Sequence, residues 1–146
     1  MGTLNLPSSG PVYLDTNIII YSVEKIEPYW TFLKPLWNAA QQGQFGLTSS
    51  ELVILETLVK PRKDADHVLE STFRQILCAS REMMLLPIDM KILDHGASLR
   101  AIHGLKSPDA IHAATGLSAA CTLFLTNDPA FKRINQLPVV VLRDII

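Results

Sequence analysis

The sequence predicts an α/β fold in which helices cover both faces of a central parallel sheet. Short apolar runs alternate along the chain with longer helical segments, as in parallel sheets built from strand–helix–strand units. Of the 146 residues, 48% are apolar and 18% charged, which provides a substantial core and argues against disorder. Without repeats or linker-like stretches, residues 1–146 are expected to form a single domain.

The first elements follow from apolar runs and their flanking residues. Residues 11–14 form a short apolar strand that ends at Asp15, where Asp and Thr side chains can cap the next helix, over about 17–25. A second helical segment covers about 28–42. Pro28 suits its first turn, whereas Pro35 is expected to kink or split it.

The middle of the chain repeats this order. A strand ends near Thr48, and Ser49 or Ser50 can cap a helix over 51–59, which Pro61 is expected to end. The next helix is predicted to begin at Asp64 or Asp66 and to run to about residue 80. Residues 83–87 form the following strand.

The last elements carry the clearest boundary signals. Asp89 caps a helix that reaches residue 103 and closes at Gly104. Ser107 and Pro108 have the form of an N-cap and a first-turn proline, opening a helix to about residue 120. Residues 123–126 form a strand, Asp128 and Pro129 open a short helix, and 139–142 form the last strand.

Four acidic side chains occupy positions that such a sheet could bring together. Ligands of parallel sheets bind beyond the carboxyl ends of the strands. Asp15 and Asp128 follow predicted strands, Asp109 lies in the first turn of a helix, and Glu56 lies one and a half turns into another. We expect all four to converge on one rim of the sheet.

Clustered carboxylates repel each other, and a divalent cation removes that conflict. Mg²⁺ and Mn²⁺ prefer oxygen ligands, and such an ion can acidify a water and neutralise charge on a phosphodiester. Each acid also has a structural alternative. Asp15 and Asp128 could simply cap helices, Asp109 could be stabilised by the helix dipole, and Glu56 could be solvated.

Four stretches of the sequence carry a family resemblance: residues 13–18 (YLDTNI), 48–56 (TSSELVILE), 107–114 (SPDAIHAA) and 125–128 (LTND). In this order and spacing they resemble the PIN domain, particularly the VapC-type toxins of toxin–antitoxin pairs. The resemblance implies a three-layer α/β/α fold with a central parallel sheet, so that residues 1–146 form one PIN-like nuclease domain. It also implies an endoribonuclease that depends on Mg²⁺ or Mn²⁺.

Carried over residue by residue, the resemblance makes Asp15, Glu56, Asp109 and Asp128 the acidic quartet. Asp15 and Asp109 are expected to bind the principal metal most directly. Glu56 and Asp128 would bind through water, position the nucleophile or help to hold a second ion. Two further residues match supporting positions: the hydroxyl of Thr126 near the metal, and Asn17 steadying its loop.

Two assignments stay open. Glu51 competes with Glu56, but five residues apart on a helix the two point about 140° from each other, and the family register favours Glu56. His112 shares a helix face with Asp109, three residues earlier. It could contact substrate or metal, or it could be a histidine of the core that supports the site.

RNA contacts must come from local basic clusters, because the net charge is −1. Phosphate binding or a plain solvated surface would both account for these clusters. The candidates flank the acidic positions and are Lys60, Arg62 and Lys63; Arg100, His103 and Lys106; and, more weakly, Lys132 and Arg133.

The segment 28–40 is unusually aromatic, with Trp30, Phe32 and Trp37 beside several leucines. The resemblance implies an apolar groove near here that receives an antitoxin helix, and it implies a homodimer. Our hypothesis is that Trp30 or Trp37 contacts the antitoxin; ordinary core packing is the alternative.

The sequence also indicates a compartment. Cys78 and Cys121 lie in apolar segments without metal-binding spacing, so we expect buried thiols in a reducing environment. With neither a signal-peptide pattern nor a stretch apolar enough for a membrane span, a cytoplasmic protein is expected.

Rival functions remain at this stage. A haloacid-dehalogenase-like phosphatase also has an Asp after its first strand, but it requires a second Asp two residues later, where this chain has Asn17. A PIN-like module without catalysis would usually have lost acids that are all present here. Within the nuclease interpretation, an RNA-processing enzyme that is not a toxin is the alternative to a toxin.

Overall fold

The computed structural model describes residues 2–146, and its centre is a five-stranded parallel sheet in the order β3-β2-β1-β4-β5. The five strands are β1 (Val12–Leu14), β2 (Leu47–Ser50), β3 (Met83–Leu86), β4 (Leu123–Thr126) and β5 (Val139–Val141). The parallel sheet predicted from the sequence is confirmed.

Six α-helices flank this sheet in the described part of the chain. They are α1 (Thr16–Val23), α2 (Tyr29–Gln41), α3 (Leu52–Lys63), α4 (His67–Arg74), α5 (Met90–His103) and α6 (Ser107–Ser118). A π-helical turn, Gln75–Ala79, extends α4, and two short 3-10 helices, Pro129–Arg133 and Leu142–Ile145, follow β4 and β5.

The strand order reverses between β1 and β4. The chain builds β1, β2 and β3 outward in one direction, returns to place β4 on the other side of β1, and continues to β5. Leu14 pairs with Leu125 in register, so the two central strands end side by side. Ligands of parallel sheets bind in the crevice that such a reversal creates at the carboxyl ends of the adjoining strands, here β1 and β4.

Side chains alternate between two apolar clusters, one on each face of the sheet, which gives the three-layer α/β/α arrangement. Val12 and Leu14 of β1 belong to the cluster that includes residues of α1, α2, α3 and α4. Tyr13, between them, belongs to the cluster formed with α5 and α6. Each cluster contains strand residues that are fully buried, such as Leu14 in the first and Tyr13 in the second.

The prediction that Pro61 ends its helix is wrong, and of the two outcomes predicted for Pro35, a kink or a split, the split does not occur. Pro35 does not split α2, and Pro61 lies inside α3, which continues to Lys63. Pro35 is exposed, so the carbonyl group that loses its N–H partner can bind water. Pro61 lies in the last turn of α3, where a missing N–H removes only one bond near a helix end that was already closing.

Most predicted helix caps are present. Asp66 accepts a hydrogen bond from Leu69 N at 3.0 Å, and Asp89 accepts one from Ile92 N at 3.0 Å. Ser50 Oγ accepts from Leu52 N at 3.1 Å, and Gly104 closes α5 with φ +69°.

The predicted capping role of Ser107 is wrong. Helix α6 begins at Ser107 itself, after Lys106, and lacks a side-chain cap. The Ser107 hydroxyl instead accepts a hydrogen bond from Arg100 Nη1 at 2.9 Å. The first turn of α6 is therefore tied to the end of α5.

One of the two thiols was placed wrongly from the sequence. Cys121 is buried as expected, and burial raises its pKa to about 11. Cys78 is exposed, because it lies on the outer side of the π-helical turn while its neighbour Leu77 packs into the core. Among the helices of residues 2–146, none combines the length and apolarity needed to cross a membrane.

Candidate active site

Asp15 is fixed at the carboxyl end of β1, in the crevice beside β4. Its Oδ1 accepts a hydrogen bond from Thr16 N at 2.8 Å, which caps α1. Its Oδ2 accepts one from the hydroxyl of Thr126, at the end of β4, at 2.6 Å. Asp15 is therefore both a helix cap and a buried carboxylate held across the two central strands.

Thr126 links two of the predicted acids. Besides donating to Asp15, its hydroxyl oxygen accepts a hydrogen bond from Asp128 N at 3.0 Å. The Asp128 side chain accepts from Ala130 N at 2.9 Å and caps the 3-10 helix Pro129–Arg133. The position of Thr126 next to the acids agrees with its predicted place.

Glu56 reaches the same site from α3. One of its oxygens, Oε1, accepts hydrogen bonds from Thr16 Oγ1 at 2.7 Å and from His112 Nε2 at 2.8 Å. Burial raises the pKa of the Glu56 carboxyl, but the hydrogen bonds from His112 and Thr16 outweigh this effect and hold the pKa below its usual value. Glu56 is thus an ionised carboxylate at neutral pH.

Asp109 comes from the first turn of α6. Burial raises the pKa of its carboxyl, and the nearby negative charges of Asp128, Asp15 and Glu56 raise it further. The dependence of this pKa on the other three acids means that all four occupy one electrostatic neighbourhood. The structure therefore places Asp109 within range of the charges of three acids that lie far from it in the sequence.

Glu51 and His112 lie in different surroundings. Glu51 is exposed at the start of α3 and makes no side-chain hydrogen bond among the described residues, whereas Glu56 bonds to residues of the site. His112 is 1% exposed and contacts Glu56, with Nε2 lying 3.8 Å from Asp15 Oδ1. It is a core histidine that also borders the acids.

Some residues of the site were not predicted. Thr16 and Tyr13 bind Glu56 and His112, respectively, and the sequence signalled them only as a helix-start residue and a strand residue. The sequence analysis did not identify Arg143. Its guanidinium donates to Asn127 O at 2.6 Å, and its backbone N–H donates to Asn127 Oδ1 at 2.8 Å. Arg143 braces the turn that carries Asp128.

Asn17 does not join this network. Its side chain is exposed and, within the described chain, forms no hydrogen bond that could steady the loop. The neighbouring Thr16 is buried and makes the contacts to the site.

The donor set fits a hard divalent cation. Within residues 2–146, no three Asp, Glu, His or Cys side chains stand close enough together to hold a metal ion in their present positions. Burial raises the pKa of Asp109 most, and repulsion from the nearby carboxylates raises it further; a cation would relieve that repulsion. Oxygen donors without cysteine match Mg²⁺ or Mn²⁺ better than zinc.

The fold and this acidic crevice define the class of protein. A family model, the PIN domain, matches residues 12–137. The chain therefore belongs to the PIN domain family, a class of nucleases that generally use divalent metal ions. This family membership excludes the alternative of a haloacid-dehalogenase-like phosphatase.

Solved structures resemble the chain over most of its length. The complex VapBC2 from Rickettsia felis, bound to a DNA fragment from its promoter, matches with a TM-score of 0.69 and 19% identity, covering 88% of this chain and 96% of the other. A toxin–antitoxin complex from Klebsiella pneumoniae matches with a TM-score of 0.64 and 22% identity, covering 90% and 97%.

A third similar structure is PAE2754 from Pyrobaculum aerophilum, with a TM-score of 0.59 and 14% identity, covering 94% of this chain and 97% of the other. At these identities the likeness establishes the three-layer fold. A comparison with curated proteins finds no significant match.

Proposed function

We propose that this protein is an endoribonuclease that hydrolyses RNA with a bound Mg²⁺ or Mn²⁺ ion, and that it acts in the cytoplasm as the toxin of a toxin–antitoxin pair. The observation that carries the proposal is that Asp109 lies within range of the charges of Asp15, Glu56 and Asp128 in a PIN-family sheet whose strand order reverses between β1 and β4. Catalytic loss is disfavoured because no acid of the quartet is missing.

The family resemblance suggests how the four acids divide their roles. Asp15, fixed by Thr16 N and Thr126, and Asp109, from the first turn of α6, would be the principal metal ligands. Glu56 and Asp128 would bind through water, orient the attacking water or help to hold a second ion. When bound, the metal ion would lower the pKa of that water and neutralise charge on the phosphate.

The basic clusters differ in how many of their residues already form ion pairs, and this difference favours one of them as the surface that contacts RNA. Lys60 pairs with Glu24, Arg62 with Glu70, and Lys132 with Asp144. The group that we name the cationic loop comprises Lys106, in the connection between α5 and α6, and three residues near that connection: Arg100, His103 and Arg133. These four residues form no ion pair among the described residues.

The cationic loop also leads along the chain to Asp109. Arg133 Nη1 donates to His103 O at 3.3 Å, and Arg100 Nε donates to Leu105 O at 3.0 Å. These bonds hold two guanidinium groups on the connection that leads directly to Asp109. We therefore assign the cationic loop, rather than the group around Lys60, to the RNA backbone.

Replacing Lys106 by Gln is expected to weaken RNA binding uniformly across sequences and to reduce the slope of log affinity against log salt by about 0.7, the value for one phosphate contact with a single strand. The measurement is fluorescence anisotropy with labelled RNA at several salt concentrations, in an Asp15→Asn background that prevents cutting. Lys60→Gln, which removes a paired lysine, is the matched control. Equal slopes for the two lysine variants would contradict the assignment.

Replacing Thr126 by Val is expected to lower cleavage by about 10–100-fold, the usual effect of losing a group that orients a metal ligand. The variant keeps the shape of the side chain but removes the bonds to Asp15 and to Asp128 N. Initial rates of RNA cleavage at saturating Mn²⁺ provide the measurement, and Thr126→Ser should restore most of the activity. A fully active Thr126→Val protein would remove Thr126 from the site.

A cognate antitoxin and a homodimer complete the proposal. The similar structures include toxin–antitoxin complexes, which supports a partner of that kind here. Trp30 and Trp37 of α2 are half-buried and packed against the core, so each has only part of its ring available to a partner. The hypothesis that one of them contacts the antitoxin would fail if Trp30→Ala and Trp37→Ala proteins, shown to be folded, bound it with unchanged affinity.

The test of the function is cleavage of structured and single-stranded RNAs by the purified, antitoxin-free protein with Mg²⁺, Mn²⁺ or EDTA. We expect cutting that requires the metal. Cutting in EDTA would contradict the mechanism, and an inert folded protein would favour the PIN-like module without catalysis. Restriction of growth on expression, relieved by the product of an adjacent antitoxin gene, would separate a toxin from an RNA-processing nuclease.

A further inference from the structure

We propose that His112 is a positioning residue of this nuclease: together with Tyr13 and Thr16 it holds one oxygen of Glu56, so that the other oxygen is presented to the metal site. The proposal rests on the proposed function, because it assigns Glu56 to the metal. It goes beyond that function by giving a role to three residues outside the acidic quartet.

His112 connects the sheet to α3 through two hydrogen bonds, one to Tyr13 and one to Glu56. His112 is 1% exposed and Tyr13 is fully buried. Tyr13 Oη lies 2.7 Å from His112 Nδ1, and His112 Nε2 lies 2.8 Å from Glu56 Oε1. The two rings meet edge to face, with 77° between their planes. Both ring nitrogens are therefore occupied by fixed partners.

For a neutral imidazole ring, one arrangement of protons satisfies all of these contacts. An ionised carboxylate only accepts hydrogen bonds, so the ring proton of His112 lies on Nε2 and is donated to Glu56. Nδ1 is then an acceptor, and the Tyr13 hydroxyl donates to it. The contact with Tyr13 thus agrees with the tautomer of His112 that donates from Nε2 to Glu56.

The two oxygens of Glu56 are used differently. Oε1 accepts from both His112 Nε2 and Thr16 Oγ1, at 2.8 and 2.7 Å. Oε2 has no hydrogen-bond partner among residues 2–146. Two donors on one oxygen restrict rotation of the carboxylate, which leaves Oε2 as the oxygen available to a metal ion or to its water.

These two hydrogen bonds also connect the elements that carry the acids. Tyr13 lies in β1, two residues before Asp15, and Asp109 lies three residues before His112 on α6. Glu56 comes from α3. Because His112 bonds to residues of both β1 and α3, it fixes Glu56 relative to the strand that leads to Asp15 and the helix that carries Asp109.

The test compares three variants of the full chain. His112→Leu removes both ring contacts, whereas His112→Gln keeps an amide N–H that can reach Glu56 and a carbonyl oxygen that can accept from Tyr13. Tyr13→Phe removes only the hydroxyl. His95→Leu, at an exposed histidine of α5, is the matched control.

The first readout is Mn²⁺ affinity of the metal-free proteins, measured by electron paramagnetic resonance on samples shown by circular dichroism to be folded. We expect His112→Leu to weaken Mn²⁺ binding by about 10–100-fold and Tyr13→Phe by less. His112→Gln should restore most of the affinity, and His95→Leu should bind as the unmodified chain does. Unchanged Mn²⁺ affinity in folded His112→Leu would overturn the proposal.

The second readout is steady-state cleavage of RNA. His112→Leu should lower kcat with little change in KM, since His112 does not lie on the cationic loop. A fall in kcat/KM caused entirely by KM would overturn the positioning role. The Mn²⁺ readout does not depend on RNA, so weakened Mn²⁺ binding in His112→Leu supports the proposal even if the substrate assignment fails.

Discussion

Replacing Asp15 by Asn is expected to reduce metal-dependent RNA cleavage by at least about 100-fold, because a direct metal ligand contributes several kcal/mol to charge stabilisation in the transition state. The substitution is nearly isosteric. The Asn carbonyl oxygen can still accept from Thr16 N and cap α1, so the fold should survive. What is lost is the negative charge at the centre of the crevice.

The matched control is Asp66→Asn, which makes the same chemical change at a helix cap on the surface. Initial rates on a single labelled RNA, at saturating Mg²⁺ or Mn²⁺, compare the two variants with the unmodified chain. Asp66→Asn should retain full activity. If Asp15→Asn cut RNA as fast as Asp66→Asn, Asp15 would be a structural cap alone.

Replacing Phe124 by Ala is expected to lower the free energy of unfolding by about 3–5 kcal/mol, the usual cost of deleting a buried phenylalanine ring. Phe124 is fully buried in β4. Its ring stacks on Tyr13 with centroids 4.7 Å apart and lies 4.9 Å from Phe131. A loss of this size is a large share of the about 5–15 kcal/mol that stabilises a typical domain.

The packing of Phe124 also connects to the site, because Tyr13 stacks on it and forms a hydrogen bond with His112. Urea unfolding at 25 °C provides the measurement, with Val68→Ala as the control. Val68 is 79% exposed, so its variant should stay within about 0.5 kcal/mol of the unmodified chain. A Phe124→Ala protein as stable as the control would mean that this part of the core is wrongly described.

The sequence was sufficient to predict the parallel sheet and to place three candidate acids relative to its strands and helices, and the physical reason is locality; Glu56 was preferred to Glu51 on the family resemblance. Asp15 and Asp128 immediately follow apolar strands, and Asp109 follows a first-turn proline, so each position is determined by its neighbours in the chain. The parallel arrangement then requires the strand ends to meet. Whether these acids catalyse cleavage stays a prediction.

The contacts that support the acids could not be predicted in the same way. The Tyr13–His112 bond joins residues 99 apart, and the Thr126–Asp15 bond joins residues 111 apart. No local pattern distinguishes Tyr13 from any other core aromatic or indicates which face of α6 carries His112 toward Glu56. Such pairings depend on the packing of complete elements.

The errors have equally specific causes. The predictions for Pro35 and Pro61 rest on the backbone hydrogen bond that a proline removes. They take no account of the residues that continue the helix after each proline. The charge clusters were ambiguous for a similar reason, because the partners of Lys60 and Arg62 are Glu24 and Glu70 on other elements. Only the tertiary structure shows which cations are already paired.

Mn²⁺ binding to the metal-free protein is the measurement that tests the central claim most directly. The four carboxylates should bind Mn²⁺ saturably, and Asp109→Asn should weaken that binding while raising the thermal unfolding midpoint of the metal-free protein, because it removes one of four mutually repelling charges. Electron paramagnetic resonance gives the bound fraction, and calorimetry gives the midpoint. A folded protein that binds no Mn²⁺, or binds it equally well with Asn at position 109, would contradict the account.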